Sequence, residues 1–435
     1  MCPRKFQKVR LRAFLRPALP MNLKLVYGTA SELSLNLESL ESVYLHGTDL
    51  PENLKIDEIE KAVLNALDAP TEFPPFRECV FSGEKLAIPV APGVPHLEHI
   101  LRAVLKYFFS SPELHQPEQV TILRTEEDEK ASPISLDAVI PDETFRNRIR
   151  FQTHRPQKRE EMALLGAVAA TNETLAISRT LFDAEFVLPI GFFQSKETKG
   201  YAGIHTAVYP TFSDAETHKR YADFGPALHA SNHDLMHELM HEITEATRQL
   251  GILGTLQAIP GISTPGSSRI ARFLAGDFRE LEKDGNSAYR EIWTLLTDRK
   301  PEAVLASVTG GDSRSWDCVF QAIIRAANSG LQQNGILAVC SSLSGELPRS
   351  LQIYRQVQEP ELAEKFIRRE NLPDAPLAIP AIQAISRFRV FFLSEMEGET
   401  LEEINITPIR ENAELERLLT HCRSCLILPD AHRIV

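Results

Sequence analysis

Cysteine, tryptophan and long apolar runs are scarce in this chain of 435 residues. The six cysteines (Cys2, Cys79, Cys318, Cys340, Cys422 and Cys425) are too scattered for a disulfide framework. Cys422 and Cys425 form one C-x-x-C, with no second pair to complete a zinc site. Such cysteine usage points to a reducing, cytoplasmic compartment. No stretch approaches the roughly 18 apolar residues of a membrane span, so no membrane partner is expected. Basic residues are in the minority, 47 Lys and Arg against 59 Asp and Glu, giving a formal net charge of −12. Phosphate backbones demand clustered Lys and Arg, so no nucleic-acid partner is expected either. Walker loops, G-x-G-x-x-G and G-x-S-x-G are missing. Ser341–Gly345 follows a strand pattern but lacks the first glycine of a nucleophile elbow.

What is present is ordinary for a globular protein: 43% hydrophobic and 24% charged residues. The length predicts about two or three domains. Residues 1–20 hold Arg4, Lys5, Lys8, Arg10, Arg12 and Arg16 and no acidic residue. They read as a basic tail, or as a start assigned too early, with Met21 the true beginning. Leu23–Tyr27 and Leu33–Leu37 alternate with Gly28 between them and predict a hairpin. Lys85–Val90, His96–Phe109 and Gln119–Arg124 read as strand, amphipathic helix and strand, the unit of a parallel sheet. Residues 125–146 read as a loop, and Lys158–Leu165 as a helical turn or two. Gly251–Gly266, rich in Gly, Pro, Ser and Thr, reads as a linker. A second β/α series follows, with Ser268–Ile292 mostly helical. The expectation is an α/β protein: two α/β domains, 21–250 and 267–435, with a cleft between them and mostly parallel sheets flanked by helices.

Three stretches could carry chemistry. In His237-Glu238-Leu239-Met240-His241, two His four apart share a helix face and could ligate zinc, with Glu238 as general base. His233 extends that ladder, and a third ligand could come from Asp277–Glu282. A His-rich amphipathic helix at a domain junction fits the same residues. In Lys196–Pro210, Gly200 and Gly203 would let backbone approach a ligand, with Lys196, Lys199 and His205 around an anionic group. A mobile loop fits equally. Gly310-Gly311 lies between a strand and the helix Asp317–Gln332, with Gln321 one turn in. Backbone amides there could hold an anion, or the pair could be a tight connection.

Taken in order, these segments resemble the lactate racemase family over most of the chain from Met21. Leu23–Leu37 is similar to the family's opening hairpin, and His154–Gly191 to its N-H-D segment and the strands after it. Gly200–Tyr221 resembles G-Y-S-G-G-R-K-x-I-x-P-G-I-x-x-x-E-T-I. Leu274–Leu281 resembles an A-G-D helix start. Ser307–Ile323 resembles G-G-x-P-x-D-x-N-x-Y-Q-A-x-K with one extra residue, and Cys425–Asp430 the terminal strand.

The resemblance implies two α/β domains and racemisation of a 2-hydroxy acid through a nickel-pincer nucleotide bound covalently to a lysine. In the family, a His helps hold nickel and two others exchange the substrate hydroxyl proton. Residue by residue, the anchoring lysine falls on Thr206, which cannot form the linkage, and a catalytic His falls on Lys196. The metal-binding His falls near Ala222, with His218 a turn earlier. Another His falls on the acidic run Glu126–Asp128, and the Lys of Q-A-x-K falls on Ile324. The positions left are Lys196 and His205 as catalytic groups, His205 as metal ligand, and Gly200, Tyr201, Gly203, Gly310, Gly311 and Gln321 as cofactor-binding positions. The expected partner is a small 2-hydroxy acid or other small anion. The readings carried forward are a racemase or epimerase with altered cofactor anchoring, a non-catalytic small-anion-binding homologue, and a zinc-dependent hydrolase at His237 and His241.

Overall fold

A computed structural model describes residues 22–29, 31–48, 50–140, 142–167, 174–195, 203–223, 233–295 and 299–435. The described chain divides into two compact units. The first takes the residues up to Pro51 together with Thr294–Glu346 and Ala381–Ile434; the second takes Glu52–Trp293, Leu347–Pro380 and Val435. These boundaries differ from the expected 21–250 and 267–435 division, because the N-terminal strands pair with the C-terminal sheet and 347–380 packs with the other unit.

The expected hairpin is β1 (Asn22–Tyr27) and β2 (Ser31–Asn36), paired antiparallel with Leu23 opposite Leu35 and Leu25 opposite Leu33. β3 (Ser42–Leu45) follows. The second unit then begins with a helix, Ile59–Asp68, whose Ile59, Val63 and Leu67 recur every four residues and are buried on one face. β4 (Lys85–Pro89), β5 (Gln119–Thr125) and β6 (Ile149–His154) run parallel, with the helix Leu97–Phe109 as the crossover between β4 and β5. β7 (Met162–Ala167) and β8 (Thr174–Ser178) form an antiparallel pair. β9 (Phe186–Val187) completes the order β6-β5-β4-β9. β10 (Ile190–Phe192), β11 (Gly254–Pro260) and β12 (Ile270–Asp277) make a three-stranded sheet.

Several local expectations are corrected here. Residues 125–146 hold two short helices, Glu126–Ala131 and Leu136–Val139. Thr125 caps the first, accepting from the Asp128 amide at 3.2 Å, and an acidic first turn suits a helix start. Buried Arg124 closes its far end by donating to the carbonyls of Asp128 (3.0 Å) and Ser132 (2.8 Å). Lys158–Leu165 gives only a 3-10 turn, Arg159–Glu161, before β7. The stretch taken as a linker contains β11, buried along its whole length between β10 and β12. Its glycine serves close packing, since a Cβ on Gly254 would lie 2.9 Å from the Phe76 ring. The first part of Ser268–Ile292 is β12, and the helix, Phe278–Trp293, starts directly after it.

The first unit is built on one parallel sheet. β13 (Ala303–Ser307), β14 (Ile336–Cys340), β15 (Arg389–Leu393), β16 (Ile406–Ile409) and β17 (Ser424–Leu428) join β3 in the order β16-β15-β14-β13-β17-β3. β13 and β14 are buried at every residue, as a parallel strand covered on both faces must be. One covering layer is the β1–β2 hairpin, whose Leu23, Leu25, Leu33 and Leu35 share a core with Leu305, Ala338, Leu415 and Ile427. The α/β class expected from the strand and helix alternation therefore holds. No helix among the described residues is long and apolar enough to cross a membrane.

Candidate functional site

In the second unit, Gly203 (φ 87°) leads into a 3-10 turn, Ile204–Ala207. The positive φ is one that glycine adopts without strain. The Thr206 hydroxyl donates back to the Gly203 carbonyl at 2.7 Å. His205 stacks on Phe278, ring centroids 4.3 Å apart and planes 12° from parallel. Burial pushes its imidazole down to about 4, with Asp277 opposing the shift. Its Nδ1 is sealed from solvent and has no hydrogen-bond partner among the described residues. His205 is therefore neutral at pH 7, a lone-pair donor and not a cation. Lys196, Lys199, Gly200 and Tyr201 lie outside the described residues.

Two further imidazoles hold the next turn. His154, at the end of β6, is buried and donates from Nε2 to the Ser213 carbonyl at 2.8 Å; burial pushes it down to about 4. His218 donates from Nε2 to the Pro210 carbonyl at 2.9 Å, its ring centroid 6.0 Å from that of His154. His218, one turn from the family's metal position, thus commits one ring nitrogen to backbone.

The helix His233–Gln249 carries the possible zinc pair. Its apolar periodicity turns Leu239, Ile243 and Ala246 inward and leaves His237, Glu238 and His241 exposed. Buried Glu242 ties the helix to the preceding turn. It pairs with Arg220, one Nη1–Oε2 contact being 2.7 Å, and accepts from the Tyr209 hydroxyl at 2.7 Å. Among the described residues neither His237 nor His241 gathers with two other metal-ligating side chains, and neither does His205.

In the first unit, the strand order places β13 between β14 and β17, so the chain leaves β13 on one side and returns on the other. Such a switch point opens a crevice beyond the carboxyl ends of its strands, the usual ligand position in open α/β sheets. Gly310 (φ 66°) and Gly311 lie there, with open space beside Gly311, and lead through Asp312 to the helix Trp316–Asn328 that carries buried Gln321. The β1–β2 turn reaches the same edge: the Gly310 amide donates to the Gly28 carbonyl at 2.8 Å. From beyond β17, buried Asp430 accepts from the Thr309 hydroxyl. His432 donates from Nε2 to Asp312 Oδ2 at 3.1 Å, and Arg433 donates to the same oxygen. Burial pushes the nearby Cys318 thiol up to about 12. Asp312, Cys318 and His432 each present one ligand atom within 4.8 Å of the others, a grouping that sequence reading missed. His432 lies more than a hundred residues beyond Asp312 and Cys318, so no local spacing could reveal the grouping.

The geometry defines a two-unit α/β protein with a switch-point crevice in one unit and a histidine-bearing glycine turn in the other. No protein-family model matches the sequence, and no curated protein matches it. The fold is similar to that of the lactate racemase apoprotein from Thermoanaerobacterium thermosaccharolyticum, with TM-score 0.63 and 14% identity, over 95% of this chain and 99% of that one. A Thermotoga maritima protein is similar with TM-score 0.56 and 12% identity, over 88% and 98% of the two chains. At these identities the likeness is one of fold. The nickel-pincer nucleotide that the resemblance implies does not fit the residue at the position the resemblance assigns to its anchor. Thr206 offers a hydroxyl, already bonded to Gly203, where a lysine amine is needed.

Proposed function

We propose that this chain is a lactate-racemase-like protein that keeps the fold to bind a small 2-hydroxy acid or another small anion, without a lysine-anchored nickel-pincer nucleotide. The observation that carries the reading is Thr206, a hydroxyl turned back onto its own loop at the anchor position. The crevice beyond β13 and β17, with the Gly310–Gly311 backbone at its edge, supplies a place for the anion. Titration calorimetry with L- and D-lactate, followed by chiral analysis of the same samples, tests it. Binding without interconversion is the expected result, and interconversion by protein made alongside the cofactor-synthesis enzymes overturns it.

A second reading, 2-hydroxy-acid racemisation with altered anchoring, draws on His205. Its neutral imidazole, with an Nδ1 that has no partner among the described residues, suits a base or a metal ligand. Under that reading His205→Ala abolishes interconversion. Under the binding reading there is none to abolish.

A further inference from the structure

Asp312 and Asp430 stand at the edge of the proposed anion crevice, with Arg433 paired to Asp312. A bound dication would add positive charge there for a carboxylate ligand. We propose that Asp312, Cys318 and His432 form a site for a zinc-class divalent cation with one open coordination position, and that this cation holds the small anion. The second half rests on the small-anion reading. The metal site itself does not.

The donor set is the first argument. A thiolate, an imidazole and a carboxylate suit a borderline-soft cation, and three protein ligands with one open position are the pattern of a site that binds a further ligand. Geometry is the second. Tetrahedral zinc sets its ligand atoms about 3.3–3.6 Å apart, as follows from its bond lengths. His432 Nε2 and Asp312 Oδ2 are already 3.1 Å apart, and Cys318 Sγ completes a group within 4.8 Å. Rotation of the Cys318 and Asp312 side chains spans the remaining difference.

Rigidity is the third. His432 is 5% exposed and sits in a turn closed by the Arg433 amide on the Asp430 carbonyl at 2.9 Å. Its Nδ1 is buried without a hydrogen-bond partner among the described residues. Cys318 is fixed in the first turn of a 13-residue helix. Asp312 is 40% exposed and gives the cation a route from solvent. The fourth argument is position, at the switch point where α/β sheets bind ligands. Arg433 is the competitor. Its guanidinium holds Asp312 in the absence of a cation and must release it when one binds.

The probe is cobalt(II), titrated into the full-length protein after chelator treatment and read by absorption. The expected result is a thiolate-to-cobalt charge-transfer band saturating at one equivalent. Cys318→Ser removes the band, Asp312→Asn weakens binding by about tenfold or more, and Arg433→Gln tightens it. Cys79→Ser and His241→Ala leave the band unchanged. Circular dichroism confirms that each variant is folded. Should Cys318→Ser fail to fold, the Asp312→Asn and Arg433→Gln shifts in opposite directions carry the test. No band in the parent protein, a band surviving in folded Cys318→Ser, or cobalt lost on His241→Ala would each overturn the site and leave Asp312, His432 and Arg433 as a latch for the C-terminus. L-lactate added to the cobalt form should change the visible bands. Unchanged bands while calorimetry still shows lactate binding overturn the cation's hold on the anion, whereas no lactate binding by either readout contradicts the small-anion reading; both leave the metal site standing.

Discussion

At the scale of single residues, buried histidines tie stability to pH. His154 and His205 both have folded-state values near 4, below the ordinary imidazole value of about 6.5, because burial disfavours the cation. Between those values the unfolded chain binds protons that the folded chain refuses. Stability from these groups is present above pH ~6.5 and is lost as pH falls towards 4, by up to about 1.4 kcal/mol per pH unit for each. Urea unfolding midpoints should fall across that window, and His154→Gln should make the fall shallower. A midpoint flat between pH 7 and 4.5 contradicts the assignment. The same scale shows what a local motif hides. His237 and His241 were legible as a zinc pair, yet the burial of Leu239, Glu242 and Ile243 decides how the helix is turned. Glu242→Leu should therefore cost about 3 kcal/mol or more, since it removes the buried carboxylate that bonds both Arg220 and the Tyr209 hydroxyl. His241→Ala should stay within about 0.5 kcal/mol. Thermal melts that ranked the two the other way would refute this packing.

At the scale of elements, period and composition located most strands and helices, because buried parallel strands such as β13 and β14 read as short apolar runs bounded by turn residues. They failed where glycine serves packing. β11 carries Gly254 and Pro260 and reads as linker, although it lies buried between two strands. Near the end of β12 stands Gly276, where φ is 145° and a Cβ would lie 2.2 Å from the Thr71 carbonyl oxygen. Gly276→Ala should destabilise the protein by about 2 kcal/mol or more, from backbone strain and overpacking together. Gly311→Ala, with nothing within 4 Å, should be close to neutral for stability. Equal losses in denaturant titration would contradict the close approach.

At the scale of the whole molecule, order and spacing made the fold legible: hairpin, β/α alternation, glycine pairs after strands and a terminal strand. The site was legible only where it is local. Thr206 and His205 could be placed on the chain, but not the hydroxyl turned back to Gly203 or the ring stacked on Phe278. His432 could not be joined to Asp312 and Cys318, because it is the pairing of β17 with β13 that brings it to residues more than a hundred positions earlier. In the proposed reading fold and chemistry separate: a lactate-racemase-like backbone carries the Thr206 hydroxyl at the position the sequence resemblance assigns to the anchoring lysine.

The measurement that tests this separation most directly is intact mass with elemental analysis, on residues 21–435 and on the full chain, each purified from a host that co-expresses the cofactor-synthesis enzymes. The account predicts the unmodified polypeptide mass and no stoichiometric nickel. A covalent adduct accompanied by one nickel per chain would contradict it and restore the racemase reading.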